Sequence, residues 1–213
     1  MSKVSVFILD FEKHRIEQVV SWLEKKVDQS KLTNKQKIFS QFIRYFVLSK
    51  KFSIENPLFA TNDGKPYLCN SNIHFNISHT GNKVVIALAN QQIGIDTEEI
   101  AQKRKVLRIA KRYFKPDEYL SLQKSDDLYR DFYTLWTLKE SQVKRSSLGI
   151  AKGLGTATFK LINDNDWVSE NYPNDFITFY YDELVISVCS NNIKNEDYSL
   201  FEIVDFEFKE IKK

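Results

Sequence analysis

From Leu128 to Val143 the apolar residues Leu128, Phe132, Leu135, Trp136 and Val143 recur at helical spacing, so a helix over Asp131 to Arg145 must bury one face in a core. Two opposite charges interrupt that face. Lys139 lies between the last two apolar turns, and Glu140 stands one turn beyond Trp136. Either the pair sits at the solvated rim of the stripe, as charged residues usually do, or it lies where burial is costly and something must meet the charges. The helix by itself leaves both open.

The rest of the chain has the material for a core around such a helix. Its 213 residues are 42% hydrophobic, with sixteen Phe and ten Tyr, enough for one large domain or two small ones. Six Gly and four Pro leave little room for disordered linkers. Cys69 and Cys189, far apart, offer neither metal-ligand spacing nor a disulfide framework. The net charge of +3 suits an anionic ligand or an acidic partner but falls short of a nucleic-acid signature. Basic residues gather in Lys25–Lys37 and Gln102–Lys115, where each run also reads as a solvated helix face. The apolar run near the N-terminus is too short and too quickly charged for a signal peptide, and no stretch approaches a membrane span. A soluble cytoplasmic protein is expected.

Along the chain, Val4–Leu9 reads as a strand, His14–Lys26 and Asn34–Lys50 as helices, and 55–70 as a loop with turn chemistry around Asn62-Asp63-Gly64 and Pro66. HFNISHTGNKVVIALANQQIGIDTEE reads as three strands joined by tight turns. Val106–Arg112 is helical, and Lys115-Pro116-Asp117-Glu118 starts another helix. ATFKLI, FITFYYDELVISVCS and LFEIVDFEF supply further strands. Helices followed by an antiparallel sheet, twice over, predict an α+β fold of two similar lobes, 1–100 and 101–213, in a pseudo-twofold arrangement.

Chemistry concentrates in three stretches. In IGIDTEE, Asp96 and Glu98 are two apart on a strand and project to one face, where like charges repel unless water or a cation separates them. Oxygen ligands at that spacing suit Mg²⁺, although a wet strand end would carry the same residues. Glu140, on an apolar-faced helix, adds a third carboxylate, and Lys144 follows one turn later, suited to neutralising a phosphate. In FNISHTG, Ser78 and His79 end a strand; they suit hydrogen bonding to an anion, or serve as a turn cap and a surface residue. No G-x-S-x-G elbow accompanies them. Lys65 lies just upstream on a constrained loop.

In order, DGKPYL, FNISHTG, IGIDTEE and FYTLWTLKESQVK resemble the 4′-phosphopantetheinyl transferases, specifically the two-lobed, Sfp-type family that activates nonribosomal peptide and polyketide synthetases of secondary metabolism. The family hallmarks are a G-[IV]-D-x-E strand and, some way on, W-[ST]-x-K-E-[AS]-x-x-K; both are present. The resemblance implies transfer of the phosphopantetheine arm of coenzyme A to a serine of an apo acyl or peptidyl carrier protein, releasing 3′,5′-ADP, at a site in the cleft between the lobes of a monomer. It implies Asp96, Glu98 and Glu140 as Mg²⁺ ligands and Lys144 on the pyrophosphate. Lys65, Ser78 and His79 match coenzyme A contacts, the latter two near the 3′-phosphate. Lys31, Lys35 and Lys37 are candidates for the adenine-side phosphate, and Glu118 matches a glutamate that handles the serine proton. Lys139 belongs to the hallmark and is expected to pair with an anion or carboxylate.

Two departures stand out. Thr97 replaces a common aliphatic residue, and SSLGIAKGLG is longer than the family turn, so the carrier-facing loop between Lys144 and Phe159 is expected to differ in shape. The basic run Arg104–Lys115 is expected to steer an acidic carrier. The same run would serve a non-enzymatic basic module that binds nucleic acid or an acidic protein, and the acidic cluster would serve a Mg²⁺-dependent phosphoesterase or nuclease; as a transferase the protein is expected to have neither nucleic acid nor membrane as a partner.

Overall fold

The computed structural model describes residues 4–62, 64–102, 105–163, 166–193 and 198–212. β1 (Val4–Asp10) forms from the β-branched and aromatic run that opens the chain, followed by α1 (Ile16–Leu23) and α2 (Lys35–Phe52). Asn34 starts α2 by accepting from the Lys37 amide at 2.9 Å, and Ser53 ends it at φ 54°. The stretch read as a loop folds instead as a hairpin of β2 (Phe59–Asn62) and β3 (Lys65–Leu68). Its strands are short and largely solvent-facing, so the turn and proline signals outweighed any alternation.

β4 (His74–Thr80), β5 (Lys83–Ala89) and β6 (Ile93–Glu99) follow, then α3 (Val106–Tyr113), α4 (Pro116–Gln123), α5 (Leu128–Ser146) and α6 (Ile150–Gly153). The chain continues through β7 (Phe159–Asn163), β8 (Asp166–Ser169), β9 (Phe176–Tyr181), β10 (Leu184–Ser190), β11 (Tyr198–Val204) and β12 (Glu207–Ile211). The architecture is α+β with several antiparallel sheets.

Two compact units emerge, Met1–Gln91 with Asp197–Lys213, and Gln92–Glu196. They are not the contiguous blocks 1–100 and 101–213. β6 pairs along its length with β10, which draws it into the second unit, while β11 pairs with β1 and returns the C-terminal segment to the first. In the first unit the sheet runs β12-β11-β1-β5-β4. It is mixed rather than antiparallel throughout, because β1 and β11 are parallel. Parallel neighbours need a long crossover, and here the whole second unit lies between them in sequence. α2 covers this sheet with Phe39, Phe42, Ile43, Phe46 and Val47.

LFEIVDFEF, expected as one strand, is the hairpin β11–β12, turning at Asp205 and Phe206 with φ 49° and 62°. Such two-residue turns favour Asn-Gly. Phe206 adopts this backbone while its ring packs edge-on against Phe42 and Phe46, at 5.2 and 6.1 Å between centroids.

In the second unit the sheet is β6-β10-β9, with β7–β8 as a separate hairpin. α5 crosses β6 and β10, and its apolar residues Phe132, Leu135 and Leu138 join Val106, Ala110, Phe159 and Trp167 in the core. Among the described residues no helix is long and apolar enough to cross a membrane.

Candidate active site at the crossing of α5 and β6

α5 is buried on nearly every side, well beyond the stripe its apolar residues suggest. Its polar residues find partners in the sheet: Thr137 shares a hydrogen bond with Ser187 at 2.8 Å, and Thr134 with the Tyr180 hydroxyl at 2.8 Å. Neither Lys139 nor Glu140 sits at a solvated rim, being 1% and 7% exposed. Consecutive helix positions point about 100° apart, so the two charges serve different environments.

Glu140 serves β6. Gly94 is the reason the helix comes so close: a Cβ there would overlap the Ser141 carbonyl oxygen and lie 2.5 Å from the Arg145 amide nitrogen. The face of β6 that touches α5 is therefore the one bearing Gly94, Asp96 and Glu98, two residues apart each time. Asp96 is buried, and Lys144 donates to its Oδ1 at 2.6 Å. The Glu140 carboxyl is pushed up to about 7, first by burial and then by the Asp96 charge, with Glu98 adding and Lys144 opposing.

Among the described residues no three His, Cys, Asp or Glu side chains converge at metal-holding spacing. Asp96, Glu98 and Glu140 feel one another's charge without sharing a point, as like charges would, and Asp96 has turned one oxygen to Lys144. Their chemistry nevertheless fits a hard divalent cation: the donors are carboxylate oxygens, and Glu140 is expensive to ionise without a positive charge beside it.

Lys139 serves the opposite side. Its Nζ pairs with Glu118 Oε1 at 2.8 Å and donates to the carbonyls of Leu154 at 3.2 Å and Ala157 at 2.9 Å. Burial lowers its pKa, with Glu118 opposing that change. Glu118, expected to handle a serine proton, is 1% exposed and occupied on both oxygens. Oε1 also accepts from the Phe159 amide at 3.0 Å, and Oε2 from the Lys115 amide at 2.7 Å.

The remaining candidates lie in the first unit. Ser78 and His79 both belong to β4, one buried and one exposed, as alternation requires, so they do not share a face. Lys65 begins β3, half-buried. Lys31 is exposed at the end of a short 3₁₀ turn, Gln29–Lys31. Lys35 and Lys37 occupy the first turn of α2, which has no acidic residue. Cations there oppose the helix dipole. Of the basic run, Lys103 and Arg104 lie outside the described residues, while Arg108, Lys111 and Arg112 stand on the exposed face of α3.

A sequence model of the 4′-phosphopantetheinyl transferase superfamily matches residues 92–200, the stretch that contains β6, α4 and α5. The chain belongs to that superfamily. It is 39% identical over 136 residues to a 4′-phosphopantetheinyl transferase of Bacillus subtilis, a match covering 60% of this chain and 59% of that protein. It is 36% identical over 140 residues to the 4′-phosphopantetheinyl transferase Sfp of Bacillus subtilis strain 168, covering 63% and 61%. With the 4′-phosphopantetheinyl transferase gsp of Aneurinibacillus migulanus it shares 38% over 114 residues, 52% and 45%. The chain thus matches between about half and three fifths of these transferases' own lengths. Residues that the sequence reading did not reach are Ser187, which shares a hydrogen bond with Thr137, and Asp131, whose Oδ1 accepts from Trp167 Nε1 at 2.9 Å. Both are partnerships across long sequence separations, and neither residue type carries a local signal.

Proposed function

We propose that this protein transfers the 4′-phosphopantetheine arm of coenzyme A to a serine of an apo acyl or peptidyl carrier protein, releasing 3′,5′-ADP. The observation that carries this reading is the meeting of Asp96, Glu98, Glu140 and Lys144 where α5 crosses β6, inside the stretch matched by the superfamily. Asp96, Glu98 and Glu140 would hold Mg²⁺, which when bound neutralises charge on the pyrophosphate and on the leaving 3′,5′-ADP. Lys144, half-exposed beside Asp96, is placed to exchange that carboxylate for a phosphate oxygen. The serine Oγ bonds to the phosphorus that carries pantetheine as the pyrophosphate P–O bond breaks. With Glu118 committed to protein donors, the serine proton passes to a carboxylate of the acidic cluster. Positioning and charge neutralisation are most of what phosphoryl transfer asks of a protein.

The nucleotide end of coenzyme A would fall to Lys65, Ser78, His79 and the lysines Lys31 and Lys35, with Lys37 beside them. Cations in the first turn of α2, set against the dipole, are accounted for by an anion that both dipole and lysines attract. His79→Ala is expected to weaken binding of coenzyme A more than of dephospho-coenzyme A in titration calorimetry; equal losses would make His79 a surface residue. Each unit lays a long helix on a sheet and carries a two-stranded hairpin, which supports reading them as related lobes; on the family resemblance alone the enzyme is read as monomeric and cytoplasmic.

The exposed cations of α3 are proposed to steer an acidic carrier. Charge reversal at Arg108, Lys111 or Arg112 should raise KM for the carrier and spare that for coenzyme A. The effect should shrink as added salt brings the Debye length below about 10 Å. Loss of coenzyme A affinity instead would assign α3 to the nucleotide. The deciding experiment incubates the protein with coenzyme A, Mg²⁺ and an apo carrier and follows intact mass. Gain of one phosphopantetheine on the carrier is expected. Coenzyme A hydrolysis that needs no carrier would make the protein a phosphoesterase.

A further inference from the structure

The acidic cluster uses one side of α5. The other side carries a second buried assembly that has no part in metal or pyrophosphate chemistry. We propose that Lys139 and Glu118 are positioning residues, which clamp the chain from Leu154 to Phe159 onto α5 and α4 and thereby set the loop between Lys144 and Phe159 that meets the carrier. The carrier's part in this rests on the transferase reading above; the clamp itself does not.

The ammonium of Lys139 has three acceptors for its three protons: Glu118 Oε1, the Leu154 carbonyl and the Ala157 carbonyl. The rings of Phe114 and Phe159 flank it, with centroids 5.6 and 5.5 Å away. Glu118 divides its oxygens between Lys139 and the Phe159 amide on one side and the Lys115 amide at the start of α4 on the other. One pair thus ties together α4, α5, the segment after α6 and the first residue of β7. From the other direction Asn171 holds the same segment, donating to the Thr156 carbonyl at 2.7 Å and accepting from the Thr158 amide at 3.1 Å.

The segment that leaves α5 after Ser146 is therefore pinned at its far end. Between its two fixed ends it presents Leu148, half exposed at 50%, to solvent. A carboxylate that is 1% exposed, with both oxygens taken, has no edge left for a substrate hydroxyl. The contribution of Glu118 is placement of the loop, and the effect of losing it falls on the carrier side of the reaction. Lys139 is required because nothing else on α5 could satisfy two carbonyls and a buried carboxylate at once.

The test compares Glu118→Gln, Lys139→Met and the double variant Lys139→Met/Glu118→Leu with the parent protein. Thermal unfolding, amide hydrogen exchange across Leu154–Phe159, and steady-state transfer from coenzyme A to an apo carrier are the readouts. Lys139→Met leaves the Glu118 charge buried alone and is expected to lower the melting temperature by about 10 °C, most of which the double variant regains. Glu118→Gln is expected to hold kcat within about threefold, raise KM for the carrier but not for coenzyme A, and speed exchange at 155–159. A folded Glu118→Gln protein with unchanged exchange and kcat reduced about 100-fold or more would make Glu118 the proton acceptor and overturn the proposal. A double variant no more stable than Lys139→Met would overturn the clamp. If the parent protein transfers nothing to any apo carrier, the functional reading fails alone, and melting and exchange still decide the clamp.

Discussion

Gly94→Ala is expected to lower the melting temperature by about 6–12 °C and to abolish transfer, a cost of about 3 kcal/mol or more. The added methyl would meet backbone, the Ser141 carbonyl oxygen and the Arg145 amide and Cα, none of which a rotamer change can move. α5 must lift from β6 or shift along it, and either motion separates Glu140 and Lys144 from Asp96. Gly153→Ala is the matched control. Its Cβ would meet Val143 first, Cγ2 at 2.6 Å and Cβ and Cγ1 at 3.3 Å, so the clash is with a side chain and falls on the four-residue helix α6 rather than on the crossing of α5 and β6. That variant is expected to cost about 1–3 kcal/mol, as overpacking of side chains does, and to keep transfer, because α6 and Val143 can shift without moving α5 from β6. Calorimetry of both variants separates the effects. An unchanged melting temperature for Gly94→Ala would mean that the helix does not bear on the strand this closely.

Glu140→Gln should likewise end transfer, yet stabilise the metal-free protein. Burial and the Asp96 charge hold the Glu140 carboxyl at about 7, against an ordinary value of 4.5. The folded state thus keeps its proton where the unfolded chain has lost it. Stability without metal is fully present below pH 4.5 and falls as pH rises through about 7. Above that, the loss is worth about 2 kcal/mol once solvent screening at the edge of the cluster, where Lys144 is partly exposed, is discounted. Gln carries no such proton, so Glu140→Gln is expected to unfold at higher temperature than the parent at pH 8 and at the same temperature at pH 4. Adding Mg²⁺ at pH 8 should raise the parent's melting temperature and leave the variant nearly unmoved. A variant less stable than the parent at pH 8 would mean that Glu140 stabilises the metal-free fold. A variant that Mg²⁺ stabilises equally would take Glu140 out of the ligand set.

The acidic cluster was legible because its geometry is local. Asp96 and Glu98 share a strand face at a spacing of two, and Glu140 and Lys144 share a helix face at a spacing of four, so each pair followed from one period. Most elements were legible for the same reason. Reading failed where strands are very short or where partners distant in sequence decide the outcome. β2 and β3 are too short to outweigh Pro66 and the turn residues. The Asp205-Phe206 turn lacks the usual glycine and is held by rings on α2. β11 lies beside β1 only because the chain comes back after the entire second unit.

The charges on α5 divide along this line. The sequence alone determined that a helix with one apolar face carries Lys139, Glu140 and Lys144, and that a strand carries Asp96 and Glu98 on one side. Only the tertiary structure decided that both Lys139 and Glu140 are buried, and what each of them meets. Gly94 admits the helix backbone to the strand, which turns Glu140 toward two other carboxylates, and the Glu118 side chain, 21 positions before Lys139, arrives to meet the lysine. Helical periodicity states which residues share a face; what lies against that face depends on which distant segment the packing brings there.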